Sequence, residues 1–459
     1  MRLRAPRENG ATLSVPELPL VPDAIRANQR LFQSASLRIA GIPLQELRQN
    51  ARRQFLDAPD DVPLLITGHQ PELGHPGVWT KNFALNRLAK RVQGIPLNLI
   101  VNHDTMKSDA IALPTWHKWQ AHCVRRTSVS FDDFNKPEPY ETRQIANKNC
   151  FASFADRVLV QTANWGFTPM ICQAWQQALA LPAGTSIGER FTHMRVHQER
   201  AWGCENIQYR VSDLSRTEAF QLFAQDIIVN AERFRACYNA AVREYRKRHK
   251  LTSQSHPVPE LAEGELPFWS IAGHKRKPTM RHDERTNLRP RALTLTLFVR
   301  LCLADYFIHG LGGGKYDEVT DTIIANYYGM QPPAFQILTG TLLLPLPSFS
   351  ATPNSVRAGK LAQRNRKWNP ESFTDVPHEA VEEKRYWIAQ QPGTRHERRA
   401  RYRKLKELNA VLEPHVRGEQ EAASILLEQG EAEVKANAIL QRRDSAWLLY
   451  PEDELREFL

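Results

Sequence analysis

The sequence predicts an α/β protein with a parallel sheet at its core, helical insertions and a helical C-terminal region. Residues 62–67 (VPLLIT) and 96–101 (PLNLIV) are short, continuously apolar runs, which are typical of strands buried on both faces of a parallel sheet. Residues 78–92 between them carry apolar side chains at helical spacing, so the unit is strand–helix–strand. From about residue 377, Ala, Leu, Glu, Lys and Arg dominate, which favours long helices forming a hairpin or coiled coil.

A chain of 459 residues exceeds one ordinary domain. We predict an N-terminal helical segment over 1–60, a sheet core over 61–350 with a helical insertion at about 130–290, and a helical region over 351–459. Within these segments we expect a helix at 21–58, one long helical stretch at 214–250, a loop at 253–268, a buried helix at 292–308 and a strand at 336–346. Helix breaks are expected at Pro392-Gly393 and at Pro414.

Composition limits the class of protein and its compartment. The six cysteines are scattered and form no C-x-x-C pair, which argues against a zinc ribbon. No stretch resembles a signal peptide and no run of 18 apolar residues occurs, so we expect a cytoplasmic protein without a membrane partner. The formal charge is +11, and its densest cluster, residues 395–406, is interpreted as a solvated helix face. No aromatic residues are interleaved with basic ones on the pattern of an RNA-binding sheet, which argues against a nucleic-acid partner.

The turn at 67–77 (TGHQPELGHPG) is the first candidate site. It follows a predicted buried strand and precedes a predicted helix, and ligands in open α/β sheets bind at the carboxyl ends of the strands. His69 and His75 are candidate catalytic groups in this turn. The candidate substrate-binding residues here are Gly68, Gln70, Gly77 and Lys81. The alternative is a tight turn with surface histidines.

Two further segments carry candidate residues. Asn102-His103-Asp104 follows the second predicted strand, where His103 would act as acid or base and Asp104 would orient an amine, unless the triplet only caps a helix. The glycine run that begins at His309 would expose backbone to a ligand, or would be a flexible connector. Its candidate substrate-binding residues are Gly312, Gly313, Gly314, Lys315, Tyr316 and Asp317. Asp317 and Asp321 would share a helix face and hold a cation or an amine.

A metal site is not predicted. His193 and His197 stand four residues apart, a spacing that can bind zinc on a helix. The glutamate that a metalloprotease requires after the first histidine is missing, so we do not expect this pair to bind a metal.

These segments together resemble the bacterial cysteine-adding enzymes of bacillithiol biosynthesis (BshC-type). The family's T-G-Q-Q-P-x-L turn is similar to residues 67–73, its acidic E-D-H-D-like cluster to residues 102–104, and its G-G-x-G-E-x-A-Y-like segment to residues 312–317. Asn102 stands in place of an acid and Lys315 in place of a small residue, which indicates a divergent branch.

The resemblance implies a Rossmann-like core, a C-terminal coiled coil that pairs two subunits, and a ligase that joins the carboxyl group of cysteine to the amine of an amino-sugar acid. The implied partners are a small anionic substrate and an amino acid. The cofactor stays undetermined, with ATP or ADP compatible. Asp104 or Asp317 would receive the ammonium group, and a basic mouth of His69, His75, Lys81 and Lys315 would hold the anion.

Two alternatives remain at this point. His75-Pro76-Gly77 is similar to the first three positions of the H-x-G-H turn of nucleotidylyltransferases, although Val78 stands where the second histidine belongs. The same turn would then serve adenylyl transfer. A non-catalytic scaffold or nucleic-acid-binding protein that uses the basic C-terminal helices is the other alternative.

Overall fold

The structure is a computed structural model that describes residues 3–54, 56, 61–133, 136–252, 258–283, 287–372 and 376–459. It is a mixed α/β fold whose largest sheet has six mostly parallel strands. The strands are β1 Thr12–Val15, β2 Arg38–Ile39, β3 Ile42–Pro43, β4 Leu64–His69, β5 Ile95–Ile100, β6 Ala110–Thr115, β7 Arg125–Ser130, β8 Ile207–Arg210, β9 Glu265–Ala272, β10 Lys275–Met280, β11 Leu288–Pro290, β12 Tyr306–His309 and β13 Phe335–Gly340.

Helices cover both faces of that sheet and form most of the C-terminal region. They are α1 Val21–Ser34, α2 Leu44–Arg53, α3 Pro76–Val92, α4 Lys148–Ala152, α5 Phe154–Thr162, α6 Ile171–Leu179, α7 Ile187–Ala201, α8 Val211–Leu214, α9 Glu218–Val229, α10 Ala231–Arg248, α11 Ala292–Phe298, α12 Leu311–Tyr327, α13 Pro353–Trp368, α14 His378–Ala389, α15 Arg395–Leu440 and α16 Glu452–Phe458. None of the described helices is both long and apolar enough to cross a membrane.

The large sheet has the strand order β1-β13-β12-β4-β5-β8, in which only β1 runs antiparallel to its neighbour. From β4 the chain adds β5 and then β8 on one side, and later adds β12 and β13 on the other side. The order therefore reverses between β4 and β12, and such a reversal leaves a crevice at the carboxyl ends of the two strands.

Both faces of the sheet are buried, as the unbroken apolar runs predicted. In β4, Leu64 and Ile66 belong to a large cluster of buried side chains on one face, whereas Leu65 packs on the other face with Tyr306 and Ile308 of β12. Because successive side chains of a strand alternate between faces, a strand covered on both sides needs apolar residues at every position.

The predicted strand–helix–strand unit is confirmed as β4, α3 and β5, with β4 and β5 in parallel register. The helix expected at 21–58 is instead two helices, α1 and α2, separated by the β2–β3 hairpin. Ala40 and Gly41 make its turn with positive φ values of 51° and 80°, which a helix does not accommodate. Residues 55, 57 and 58 of that prediction lie outside the described part.

Three other predictions need correction. The stretch 214–250 is mainly two helices, α9 and α10, separated at Asn230. The loop expected at 253–268 contains the start of β9 from Glu265, while residues 253–257 lie outside the described part. The helix expected at 292–308 ends in a π-helical turn at Val299–Leu303, and the chain then enters the sheet as β12. An apolar run does not by itself distinguish a buried helix from a buried strand.

The chain divides into two compact units. Unit 1 comprises residues 1–113, 128–344 and 443–459, and unit 2 comprises residues 114–127 and 345–442. In unit 2 the predicted long helices are confirmed, with a break around Pro392-Gly393, but Pro414 lies inside α15 and does not end it. Lys360 pairs with Glu431 and Gln363 bonds Ser424, so α13 and α15 run antiparallel as a helical hairpin.

All six cysteines are free thiols. Burial raises the pKa of the Cys204 thiol to about 12, and it also raises the pKa of Cys302. Both side chains therefore pack as small apolar groups in unit 1.

Candidate functional site

A cavity of about 450 Å³ lies at the crevice where the strand order reverses, entirely within unit 1. Segments that are far apart in sequence line it, among them the turn after β4, the segment after β5, the β12–α12 junction and the end of β13. Side chains of α3, β9 and α11 and Arg443 complete the wall. The architectural prediction that residues 67–77 and 102–104 meet at one sheet edge is confirmed, because β4 and β5 are parallel and both segments border this cavity.

Most of the candidate residues line the cavity, and five do not. Those at the cavity wall are Gly68, His69, Gln70, His75, Lys81, His103, Asp104, Gly312 and Gly313. The predicted approach of the glycine run to the 67–77 turn therefore holds for its first residues. The five candidates that do not line the cavity are Gly77, which lies in α3, and Gly314, Lys315, Tyr316 and Asp317, which lie within α12.

Asp104 is fixed by two neighbours. Its Oδ2 accepts a hydrogen bond from Gln70 Nε2 at 2.7 Å, and its Oδ1 is ion-paired with Arg276 of β10. Burial alone would raise the pKa of Asp104, but His103, Arg276 and the Gln70 hydrogen bond lower it. A substrate ammonium at Asp104 would therefore share the carboxylate with Arg276.

Three of the histidines at the cavity wall, His69, His75 and His103, favour the neutral form. Burial lowers the pKa of His75 and of His103 to about 4. Desolvation and the nearby Lys81 ammonium lower the pKa of His69 as well. His75 and His103 each have an Nδ1 that is buried without a hydrogen-bond partner among the described residues, so both rings retain an unused acceptor or donor.

His309 is oriented by a buried carboxylate. It ends β12 and lines the cavity, and its Nε2 lies 2.7 Å from Oδ2 of Asp317 on α12. Asp317 also accepts from Arg300 at 2.7 Å and is 1% exposed. Burial would raise the pKa of Asp317, but Arg300 and His309 outweigh it and hold that pKa at about 2. The Asp317 carboxylate therefore stays ionised, and its hydrogen bond holds the imidazole proton on Nε2 of His309. Nδ1 of His309 is then the basic nitrogen.

This arrangement changes the roles expected of the two α12 carboxylates. The cation that Asp317 and Asp321 hold is the guanidinium of Arg300, whose NH2 lies 2.7 Å from Asp321 Oδ1. Asp317 lies behind His309 and is already occupied, so it does not receive a substrate ammonium directly.

Lys81 is the most buried cation at the cavity wall. Its side chain belongs to α3, is 2% exposed and donates to the carbonyl oxygen of Gly68 at 3.0 Å. Burial and the Arg195 guanidinium lower the pKa of Lys81 to about 8, against the opposing effect of Glu72. The ammonium form therefore still predominates near pH 7 in this buried position.

Two of the predicted ligand-binding glycines instead allow close packing of the backbone. A Cβ on Gly77 would lie 1.9 Å from the carbonyl oxygen of Gly340, and a Cβ on Gly314 would lie 2.3 Å from the Ile337 side chain. Both glycines bring a helix against β13. Gly312 has open space around its Cα, which leaves it accessible from the cavity.

Replacing Gly77 with alanine is expected to destabilise the protein by about 2 kcal/mol or more, because a backbone oxygen has to move to admit the new methyl group. Urea denaturation measures the change in the free energy of unfolding. Gly74→Ala is the matched control in the same turn, since a Cβ there meets nothing within 4 Å, and its effect should stay within about 0.5 kcal/mol. Equal stability of the two variants would contradict the packing role of Gly77.

Sequence reasoning missed three functional candidates. His309 began the glycine motif but received no role, because the strand that carries it lay inside an apolar run interpreted as helix. Arg276 sits on β10, and no local pattern links it to Asp104. Arg443 lines the cavity and donates to the carbonyl oxygen of Gly340 at 2.8 Å, although it follows the long helix α15 in sequence.

A larger cavity of about 640 Å³ lies beside α7 and β8 and includes His193. Arg210 there is already paired with Glu189 and Asp213, and the cavity contains no oriented histidine like His309. Across the described ranges, no group of three or more His, Cys, Asp or Glu side chains is arranged to hold a metal ion. We therefore place the candidate site at the strand-end cavity.

No protein-family model and no curated protein matches this chain.

Proposed function

We propose that this chain is a cytoplasmic carbon–nitrogen ligase, similar to the cysteine-adding enzymes, that joins an amino acid to an amino-sugar acid in the strand-end cavity. The finer description of the fold belongs to the same proposal: a Rossmann-like core, and a coiled coil formed by α13 and α15 that pairs two subunits. The doubly wound strand order and the antiparallel packing of α13 on α15 support it.

The observation that carries the proposal is the His309–Asp317 pair at the cavity wall. An amine attacks a carbonyl carbon only as the free base, so the site needs a group that removes a proton from the ammonium. A histidine whose second nitrogen is held by an ionised carboxylate is suited to that task, because the carboxylate stabilises the imidazolium that forms.

In the proposed reaction the amine nitrogen bonds to the carboxyl carbon of the amino acid, and one carbon–oxygen bond of that carboxyl group breaks. One proton of the ammonium passes to Nδ1 of His309 to free the amine, and a second is lost from the nitrogen when the carbon–nitrogen bond forms. The carboxyl oxygen takes both protons and leaves as water. Where a nucleoside triphosphate first transfers its terminal phosphoryl group to that oxygen and becomes the diphosphate, the oxygen leaves as part of inorganic phosphate. Asp104, fixed by Gln70 and Arg276, would orient the incoming ammonium.

The test is a mass-spectrometric assay of pairs of amino sugars and amino acids, led by glucosaminyl malate with L-cysteine, each with and without ATP. The expected product has the mass of both substrates minus one water. An adduct carrying AMP, with release of pyrophosphate, would instead support the nucleotidylyltransferase alternative. Absence of any condensation product at enzyme concentrations sufficient for a single turnover would overturn the proposal.

A further inference from the structure

Helix α12 begins at the cavity wall, and no side chain of its N-cap residue caps its N-terminus. Its N-cap is Gly310, which has no side chain to bond the first amides, and its first turn contains no acidic residue. The first backbone hydrogen bond into the helix is from the amide of Gly314 to the carbonyl oxygen of Gly310. The amides of Leu311, Gly312 and Gly313 come before that bond, so they have no acceptor within the helix. The N-terminus of this 17-residue helix also carries a partial positive charge.

A buried cation adds to this positive end. A Cβ placed on Gly310 would lie 3.8 Å from Nζ of Lys81, so the ammonium stands beside the N-cap of α12. Lys81 is 2% exposed, and among the described residues its Nζ donates one hydrogen bond, to the Gly68 carbonyl oxygen. Within the described residues no carboxylate forms an ion pair with it. An ammonium has three donors, and a buried charge without a counter-ion is costly.

Glu72 raises the pKa of Lys81 from a distance, but no free carboxylate is among the described residues that line the cavity. Arg443 is a second cation at the cavity wall, and Asp104, the carboxylate that lines it, is already paired with Arg276. A positive helix end, a buried ammonium and an arginine thus converge on a cavity without a free negative group among its described lining residues. Structures of this kind bind compact anions at helix N-termini.

We propose that the Lys81–α12 junction is a subsite for a compact oxyanion, the phosphoryl or carboxylate group of the small-molecule substrate. The oxyanion accepts hydrogen bonds from Nζ of Lys81 and from the free amides at the start of α12. The inference rests on the proposed function only in calling the ligand a substrate, since it names which end of the cavity holds the anionic group.

Binding of inorganic phosphate and of malonate to the whole protein tests the subsite, measured by thermal shift and isothermal calorimetry at constant ionic strength. The two probes distinguish a phosphoryl group from a carboxylate. Lys81→Met is expected to lower affinity for the preferred probe by roughly 30-fold or more, because one partner of a buried charged contact is lost. Without ligand, that variant should melt at or above the wild-type temperature, because a buried uncompensated charge has been removed.

Lys90→Met is the matched control, since Lys90 lies on the same helix but is exposed, and it should bind both probes as the wild type does. Gly312→Asp supplies an independent test, because Gly312 has free space and the new carboxylate would occupy the N-terminus of α12. It should raise the melting temperature of the free protein and lower anion affinity about tenfold or more.

Unchanged anion binding in both Lys81→Met and Gly312→Asp would overturn the subsite, as would a wild-type protein that binds neither probe. These outcomes are separate from the fate of the proposed reaction. If the protein catalyses condensation but its anion binding does not depend on Lys81, the subsite proposal alone is overturned. If anion binding depends on Lys81 but no condensation occurs, the subsite proposal stands and the ligase proposal is overturned.

Discussion

Replacing His309 with glutamine is expected to lower the turnover number of the condensation by about 10²- to 10⁴-fold, the usual contribution of a positioned general base. A glutamine amide can still donate to Asp317, so the buried contact survives while the basic nitrogen is lost. The Michaelis constants for both substrates should change little, because the amide occupies a similar volume. Steady-state kinetics measures both parameters, and thermal denaturation verifies that the variant is folded.

His193→Gln is the control for this substitution. His193 is an exposed histidine of the same unit on α7 and lies outside the strand-end cavity. Its turnover should match that of the wild type. If His309→Gln retains wild-type turnover while remaining folded, the proton acceptor is another group and the main support for the ligase is lost.

Replacing Arg300 with methionine is expected to destabilise the protein by about 3–5 kcal/mol, the usual cost of leaving a buried charge without its partner. Arg300 is 2% exposed and joins Asp317 of α12 to the carbonyl oxygen of Pro333 just before β13. Asp317 is 1% exposed and is partnered by Arg300 and His309. Without Arg300, its buried carboxylate loses the guanidinium and keeps the contact with His309. Urea denaturation at pH 7 measures the loss.

The pH dependence gives this prediction a second readout. Arg300 and His309 hold the pKa of Asp317 at about 2, below its value in the unfolded chain, so the wild type loses that contribution only as pH falls from about 4 through 2. Without Arg300 the pKa of Asp317 rises, and the variant should recover part of its stability between pH 7 and pH 5. The double variant Arg300→Met with Asp317→Asn should recover part of the lost free energy of unfolding already at pH 7.

Arg235→Met is the reference substitution, because Arg235 forms a surface pair with Glu232 on α10. Exposed pairs contribute little, so the change in the free energy of unfolding should be far smaller than that for Arg300→Met. A loss for Arg300→Met no larger than this reference would contradict the structural role of the buried network.

The sequence by itself determined the elements with strong local signals. The apolar runs of β4 and β5 and the amphipathic α3 between them were predictable, because a strand buried on both faces requires apolar residues at every position. The composition from about residue 377 onward likewise indicated long helices. Local signals failed where two structures share one pattern: the apolar run from Ala292 contains a helix, a π-helical turn and a strand.

The position of the strand-end cavity could also be predicted, because parallel strands end at one edge and the turn after β4 carries polar residues. The pairing of the side chains at its wall could not be predicted. The pairing of His309 with Asp317 requires α12 to fold back beside β12, and the pairing of Asp104 with Arg276 joins residues more than 170 positions apart. Long-range contacts of this kind leave no periodic trace in the sequence, since each partner is an ordinary polar residue in its own neighbourhood.

The glycines show most clearly which properties the sequence predicts and which depend on the tertiary structure. Their positions in the sequence indicated close approach of the backbone, which is a property of the residue itself. Only the tertiary structure decided what approaches: the carbonyl oxygen of Gly340 at Gly77, the Ile337 side chain at Gly314, and the open cavity at Gly312. A missing side chain sets how near a neighbour can come, whereas the identity of that neighbour depends on how distant strands and helices pack.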